Sequence, residues 1–145
     1  MMFAFDQWIW NNDRKPADIL LAKLPATSDC YDFMLIDHGL AFTGSHWVFR
    51  DLLSRINKTT DAIRPALAQQ LTTFPEMARA AQNLREQVPS LITAAFRELS
   101  GLTDLSSDDL CALQSFLRVR GHVIERLVEH AWSDAEGRRS IPPGL

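Results

Sequence analysis

Basic charge is scarce in this 145-residue sequence. Fifteen lysines and arginines stand against 18 aspartates and glutamates, for a net charge of -3 and a pI near 5.7. Nucleic-acid binding normally shows as a basic excess, so no direct nucleic-acid partner is expected. Long hydrophobic runs are missing as well. No stretch approaches the roughly 20 apolar residues that a membrane helix needs. The opening MMFAFDQWIW has no basic flank and carries Asp6 in its apolar part, which argues against a signal peptide. No membrane partner is expected, and the chain reads as cytoplasmic. Cysteine is limited to Cys30 and Cys111, with no motif around either. Two buried, reduced thiols are the expectation, and a disulfide between them is the alternative.

What is present is the composition of an ordinary globular protein, 46% apolar and 23% charged. The length suffices to bury roughly 70% of the unfolded surface in one domain. Residues 3–10 read as a short helix, with Phe5, Trp8 and Ile9 on one side and a stop at Asn11 and Asn12. DILLAKL (18–24) and YDFMLID (31–37) read as strands, and PATSDC (25–30) as the turn between them. Helical periodicity takes over from residue 45. Segments starting at His46, Arg64, Pro75 and Pro89 each predict a helix, the last ending at Ser100-Gly101. The run 106–132 predicts the longest helix, opened by serine caps and two aspartates, with Leu113, Leu117, Ile124, Leu127 and Val128 on one face. The fold class is therefore α+β and mostly helical. One domain spans 1–132, with a hairpin part over 1–44 and a helical part over 45–132, and a polar tail over 133–145 is expected to be mobile.

A hairpin brings its two outer ends together, so Asp13 and Asp18 before the first strand should meet Asp37 after the second. Three gathered carboxylates repel one another unless a cation lies between them, which suggests a divalent metal. Oxygen ligands of this kind suit Mg²⁺. A carboxylate outside the metal shell could take a proton from an attacking hydroxyl, which is the minimal apparatus of phosphoryl transfer.

FDQWIWNNDRKPADILL (5–21) followed by FMLIDHGLAF (33–42) resembles the catalytic core of HipA-like kinases, and more distantly that of phosphatidylinositol kinases. The resemblance implies a kinase C-lobe that transfers phosphate from Mg²⁺-ATP to a serine or threonine hydroxyl. It makes Asp13 the catalytic aspartate and Arg14 its loop or phosphate partner. It places the metal on Asp37 and Asp18, with His38 and Gly39 completing the turn beside the nucleotide. Asp18 departs from the asparagine of that family and adds negative charge near the triphosphate. The phosphate-covering loop and anchoring lysine of an N-lobe are not in the sequence, so an N-lobe or full-length kinase is the expected partner chain. The alternatives are an inactive pseudokinase fragment acting as a binding module, or a truncated gene product.

Three further expectations concern packing. Arg120 falls in the apolar stripe of the last helix and should run its stem along the core with its charge at an edge; burial against a carboxylate is the alternative. His46, His122 and His130 show no metal-ligand spacing, and His122 and His130 should be solvated. Trp8 and Trp10 flank Ile9 and cannot both face one way from a helix, so exposed apolar surface is expected around Phe3, Phe5, Trp8 or Trp10.

Overall fold

The structure, a computed structural model, describes residues 2–23, 31–39, 41–43, 48–60, 72–99 and 105–139. Helix α1 covers Met2–Ile9, strands β1 and β2 cover Ile19–Lys23 and Tyr31–Leu35, and α2 covers Phe49–Arg55. Two long helices follow, α3 over Phe74–Leu99 and α4 over Ser107–Arg139. The strands pair antiparallel, with Ile19 opposite Leu35 and Lys23 opposite Tyr31. The α+β, mostly helical class is therefore observed. The predicted turn over 25–30, the helix starting at Arg64, His46, Cys30 and the last six residues lie outside the described residues.

Helices α3 and α4 form an antiparallel pair, and each starts with side-chain hydrogen bonds at its first turn, reciprocal at α4. At α4, the Asp109 amide donates to Ser106 Oγ (3.1 Å), and the Ser106 hydroxyl and amide donate back to Asp109 Oδ2 (2.6 and 3.2 Å). At α3, the Thr73 amide and hydroxyl donate to Glu76 Oε2 at 2.8 and 2.9 Å. These bonds hold the Glu76 carboxyl below its ordinary range.

Met77, Ala81, Leu84, Val88 and Ile92 of α3 are buried, as are Leu113, Phe116, Leu117, Ile124 and Val128 of α4. Gly121 lets the two helices approach closely, since a Cβ there would lie 2.6 Å from Val88 Cγ1. Gly121→Ala is therefore expected to destabilise by about 1–3 kcal/mol through overpacking. That outweighs the roughly 1 kcal/mol gained in helix propensity. Chemical denaturation should show this loss, and Val88→Ala in the same chain should recover part of it. A Gly121→Ala chain as stable as the parent would exclude the close approach.

Two boundaries differ from the sequence reading. Pro89 does not start a helix; it lies inside α3. Its ring removes one helical N–H, but Val88 and Ile92 bury on one face either side of it, and that packing carries the helix through. Residues 133–139 are also helical, as an extension of α4, where a mobile tail was expected. An i,i+4 contact between His130 Nδ1 and Asp134 Oδ2 (3.1 Å) falls in that last part.

Helix α1 is the centre of the core, against the expectation of exposure. Phe3, Trp8, Ile9 and Trp10 are all buried, packed by α4 and α3. Both tryptophans fit because Trp10 is no longer helical. It takes a left-handed conformation (φ 56°) and turns back on the core. The Asn11 amide then donates to the Asp6 carbonyl at 2.9 Å, the closing bond of a Schellman turn. A tryptophan where glycine is the usual choice costs on the order of 1–2 kcal/mol, offset by burial of the whole indole.

Arg120 contradicts both expectations made for it: it is wholly buried and has no carboxylate partner among the described residues. Its guanidinium donates to the carbonyls of Gln7 and Trp8 at the end of α1. It also reaches those of Arg55, Ile56 and Lys58 at the end of α2 (2.7, 3.2 and 3.0 Å). A cation among free C-terminal carbonyls is favoured by both hydrogen bonding and the helix dipoles. This guanidinium and that of Arg55 both lie over the Trp10 ring, 5.1 and 5.3 Å from its centre. Burial pulls Arg120 down to about 9, which still leaves it charged at neutral pH. Cys111 also differs from expectation, being a free and exposed thiol.

Candidate functional site

The site is the outer end of the hairpin, where the loop after α1 meets the exit of β2. Backbone bonds close that end: Ile36 N donates to the Asp18 carbonyl (2.9 Å), and Asp18 N donates to that of Lys15 (3.0 Å). The geometry read from the hairpin therefore holds, and Asp13, Asp18 and Asp37 come to one edge.

A buried polar network supports this edge from behind. Asp6 of α1 has a fully buried carboxylate, and the Arg14 side chain facing it is 1% exposed. Arg14 Nε and Nη2 grip the two carboxylate oxygens at 3.0 and 2.9 Å, a bidentate pair. Asn11 Nδ2 donates to Asp6 Oδ1 (3.1 Å), and the Asp13 amide donates to Asn11 Oδ1 (3.2 Å). The register of the Asp13 loop is thus set by α1.

Arg14 also ties the loop to the far strand. Its Nη1 donates to the Ile36 carbonyl at 2.7 Å, and its Nη2 lies 3.1 Å from His38 Nε2. A guanidinium only donates, so His38 Nε2 accepts and the ring proton sits on Nδ1. With these contacts made, Arg14 is a positioning residue behind the edge. His38 meets Phe5 edge-on (6.1 Å between centroids), and beside it lies an apolar cavity of about 360 Å³, lined by Met2, Phe5, Leu35, Leu84 and Leu91.

The three aspartates differ in setting. Asp13 is half-buried and accepts a 2.7 Å ion pair from Lys15 Nζ at the surface. Asp18 is buried, with Oδ2 accepting the Lys15 amide at 2.8 Å. Asp37 is exposed and left-handed (φ 55°). An aspartate tolerates that conformation better than most residues; at Gly39 a Cβ would meet Asp37 Oδ1 at an ordinary 3.6 Å. The cations that offset these carboxylates come from the chain itself. Arg14 is held in its charged form first by Asp6, then by the fields of Asp18 and Asp37; Lys15 is held so first by Asp13, then by the same two.

Among the described residues, no three acidic, histidine or cysteine side chains are grouped closely enough to hold a metal ion. The repulsion that suggested a resident metal is answered by Arg14 and Lys15. What remains available is Asp37 and the second oxygen of Asp18. That donor set fits a cation arriving with most of its ligands as phosphate and water, the habit of Mg²⁺, and does not fit an all-protein cage.

Sequence reasoning passed over Asp6 and Asn11 as site residues. The available signal was an aspartate inside an otherwise apolar helix, eight residues before an arginine. It also missed Lys15 as the partner of Asp13.

No protein-family model, curated protein or solved structure matches the chain. No helix among the described residues is long and apolar enough to cross a membrane.

Proposed function

We propose that the chain is the C-lobe of a HipA-like phosphotransferase that works on Mg²⁺-ATP when an N-lobe is supplied by a separate polypeptide. The observation that supports this reading is the assembly of Asp13, Asp18 and Asp37 at one hairpin edge, held from behind by Asp6 and Arg14. In this reading a serine or threonine hydroxyl attacks the γ-phosphorus, its proton passes to Asp13, and the bond to the β,γ-bridging oxygen breaks, leaving ADP. Asp37 and Asp18 would hold Mg²⁺, which supplies charge neutralisation on the phosphates when bound. Lys15, on the surface beside Asp13, can exchange its carboxylate partner for a phosphate oxygen. His38 and Gly39 shape the turn that presents Asp37.

A specific observation favours a second reading, a binding module without catalysis. The hairpin exposes large apolar side chains, with Leu20 49%, Leu21 67% and Met34 64% accessible. Ile36 is exposed next to the carboxylate edge. Such a patch marks a surface that another chain covers, and an N-lobe would lie there too.

Calorimetric titration of the chain with ATP, with and without Mg²⁺, tests the kinase reading. Binding that requires Mg²⁺ and disappears in Asp37→Asn is expected. If no heat is seen at roughly millimolar ATP, alone or with an added N-lobe, the binding module takes its place.

A further inference from the structure

A second cluster of chemistry lies on the α3–α4 pair, on residues separate from the hairpin edge. An open cavity of about 410 Å³ is lined by Arg85, Val88, Pro89, Arg118, Gly121 and His122. Its floor is apolar, from Val88 and Pro89, and Gly121 adds no side chain to fill it. Its walls carry two guanidiniums and an imidazole. Arg118 and His122 are four residues apart on α4 and so share a face one turn apart. Arg85 approaches from α3.

The pairing of charges around the groove is uneven. Arg85 is matched by Glu125 at 2.9 Å. Arg118 has no carboxylate partner among the described residues. A guanidinium with no carboxylate partner among the described residues, on a concave surface of a chain with net charge -3, is a candidate donor site. A guanidinium also offers a forked set of donors that fits phosphate oxygens in pairs. The close helix crossing at Gly121 and Val88 fixes the backbones that carry these groups.

We propose that this groove binds a phosphate ester, its phosphoryl oxygens held by Arg118 and His122 with Arg85 opposite, and its organic body lying on Val88 and Pro89. The volume falls in the range of small-ligand sites, roughly 300–1,000 Å³, and the mix of an apolar floor with a few polar groups is their usual composition. The site is independent of the kinase reading, since it shares no residue with the hairpin edge.

The test is an NMR titration of the isotope-labelled full chain with phenyl phosphate, with inorganic phosphate alone as the comparison. Saturable shifts are expected at the amides of Val88, Gly121 and His122, with half-saturation at or below roughly 10 mM. Arg118→Ala, an exposed position whose loss leaves the core intact, should weaken binding about tenfold or more, while Asp37→Asn leaves it unchanged. The proposal is overturned if those amides do not shift, or if Arg118→Ala binds as well as the parent. Inorganic phosphate binding as tightly as the ester would also overturn it, because the apolar floor would then contribute nothing.

Discussion

Replacing Arg120 by methionine is expected to cost on the order of 3–5 kcal/mol, enough to leave the chain mostly unfolded or only loosely packed at 37 °C. Exchanging a buried ion pair for apolar residues can be neutral, because both charges leave together. Here only the cation leaves. The carbonyls of Gln7, Trp8, Arg55, Ile56 and Lys58 stay where they are; that of Arg55 keeps the Lys58 amide, and each carbonyl left dry and unpaired costs roughly 1–3 kcal/mol. Water can reach some of these groups once methionine is in place, which keeps the total below the simple sum. The indole of Trp10 also loses one of its two guanidinium neighbours. Arg120→Lys should recover only part of the loss, since one ammonium cannot reach the ends of both helices. Urea denaturation followed by tryptophan fluorescence measures both. A shift below about 1 kcal/mol for Arg120→Met would show that the arginine does not join α1 to α2.

Asp6→Ala should be comparably damaging, by about 3–5 kcal/mol, because Arg14 would be left as a buried cation without its hydrogen-bonded partner, facing only the weaker fields of Asp18 and Asp37. The pair is bidentate and shielded from water, so the weak surface value of about 0–1 kcal/mol does not apply. A double-mutant cycle with Arg14→Ala separates the pair from the rest of the network. The double variant is expected to be less unstable than the two single losses added, with a coupling on the order of 2 kcal/mol. The same variants report on the site. Losing Asp6 should disturb the amides of Asn11 to Lys15 and of Ile36 to His38 more than those of Cys111, which lies far away on α4. Independent, additive losses would mean that the two side chains merely sit side by side.

Much of the fold could be read from the chain because its signals are local. Short apolar runs on either side of a turn cluster place β1 and β2, and the 3.6-residue period places α3 and α4. The meeting of Asp13, Asp18 and Asp37 then follows from hairpin geometry alone. Other features were not legible, and in each case the missing partner is remote or is backbone. Arg120 was placed with its charge at an edge or on a carboxylate because nothing in a sequence marks carbonyl groups more than a hundred residues away as its ligands. Trp10 looked exposed because periodicity assumes that the helix continues, whereas a left-handed residue at its end rotates the side chain inward. Pro89 looked like a boundary because its intrinsic cost is visible in the sequence and the packing of Val88 and Ile92 is not. Asp6 was read only as a blemish in an apolar run, since its role appears when Arg14 folds back onto it.

The arginine that joins the first two helices has a consequence for when the molecule can form. Its contacts with Gln7 span 113 residues of chain, so α1 can complete its end only after α4 has been made. At roughly 5–20 residues per second, ribosomal synthesis leaves α1 waiting on the order of 5–20 seconds for that partner. Throughout that interval the apolar side of α1, with Phe3, Trp8 and Trp10, faces the solvent or a chaperone. The last long helix thus acts as a late closing step.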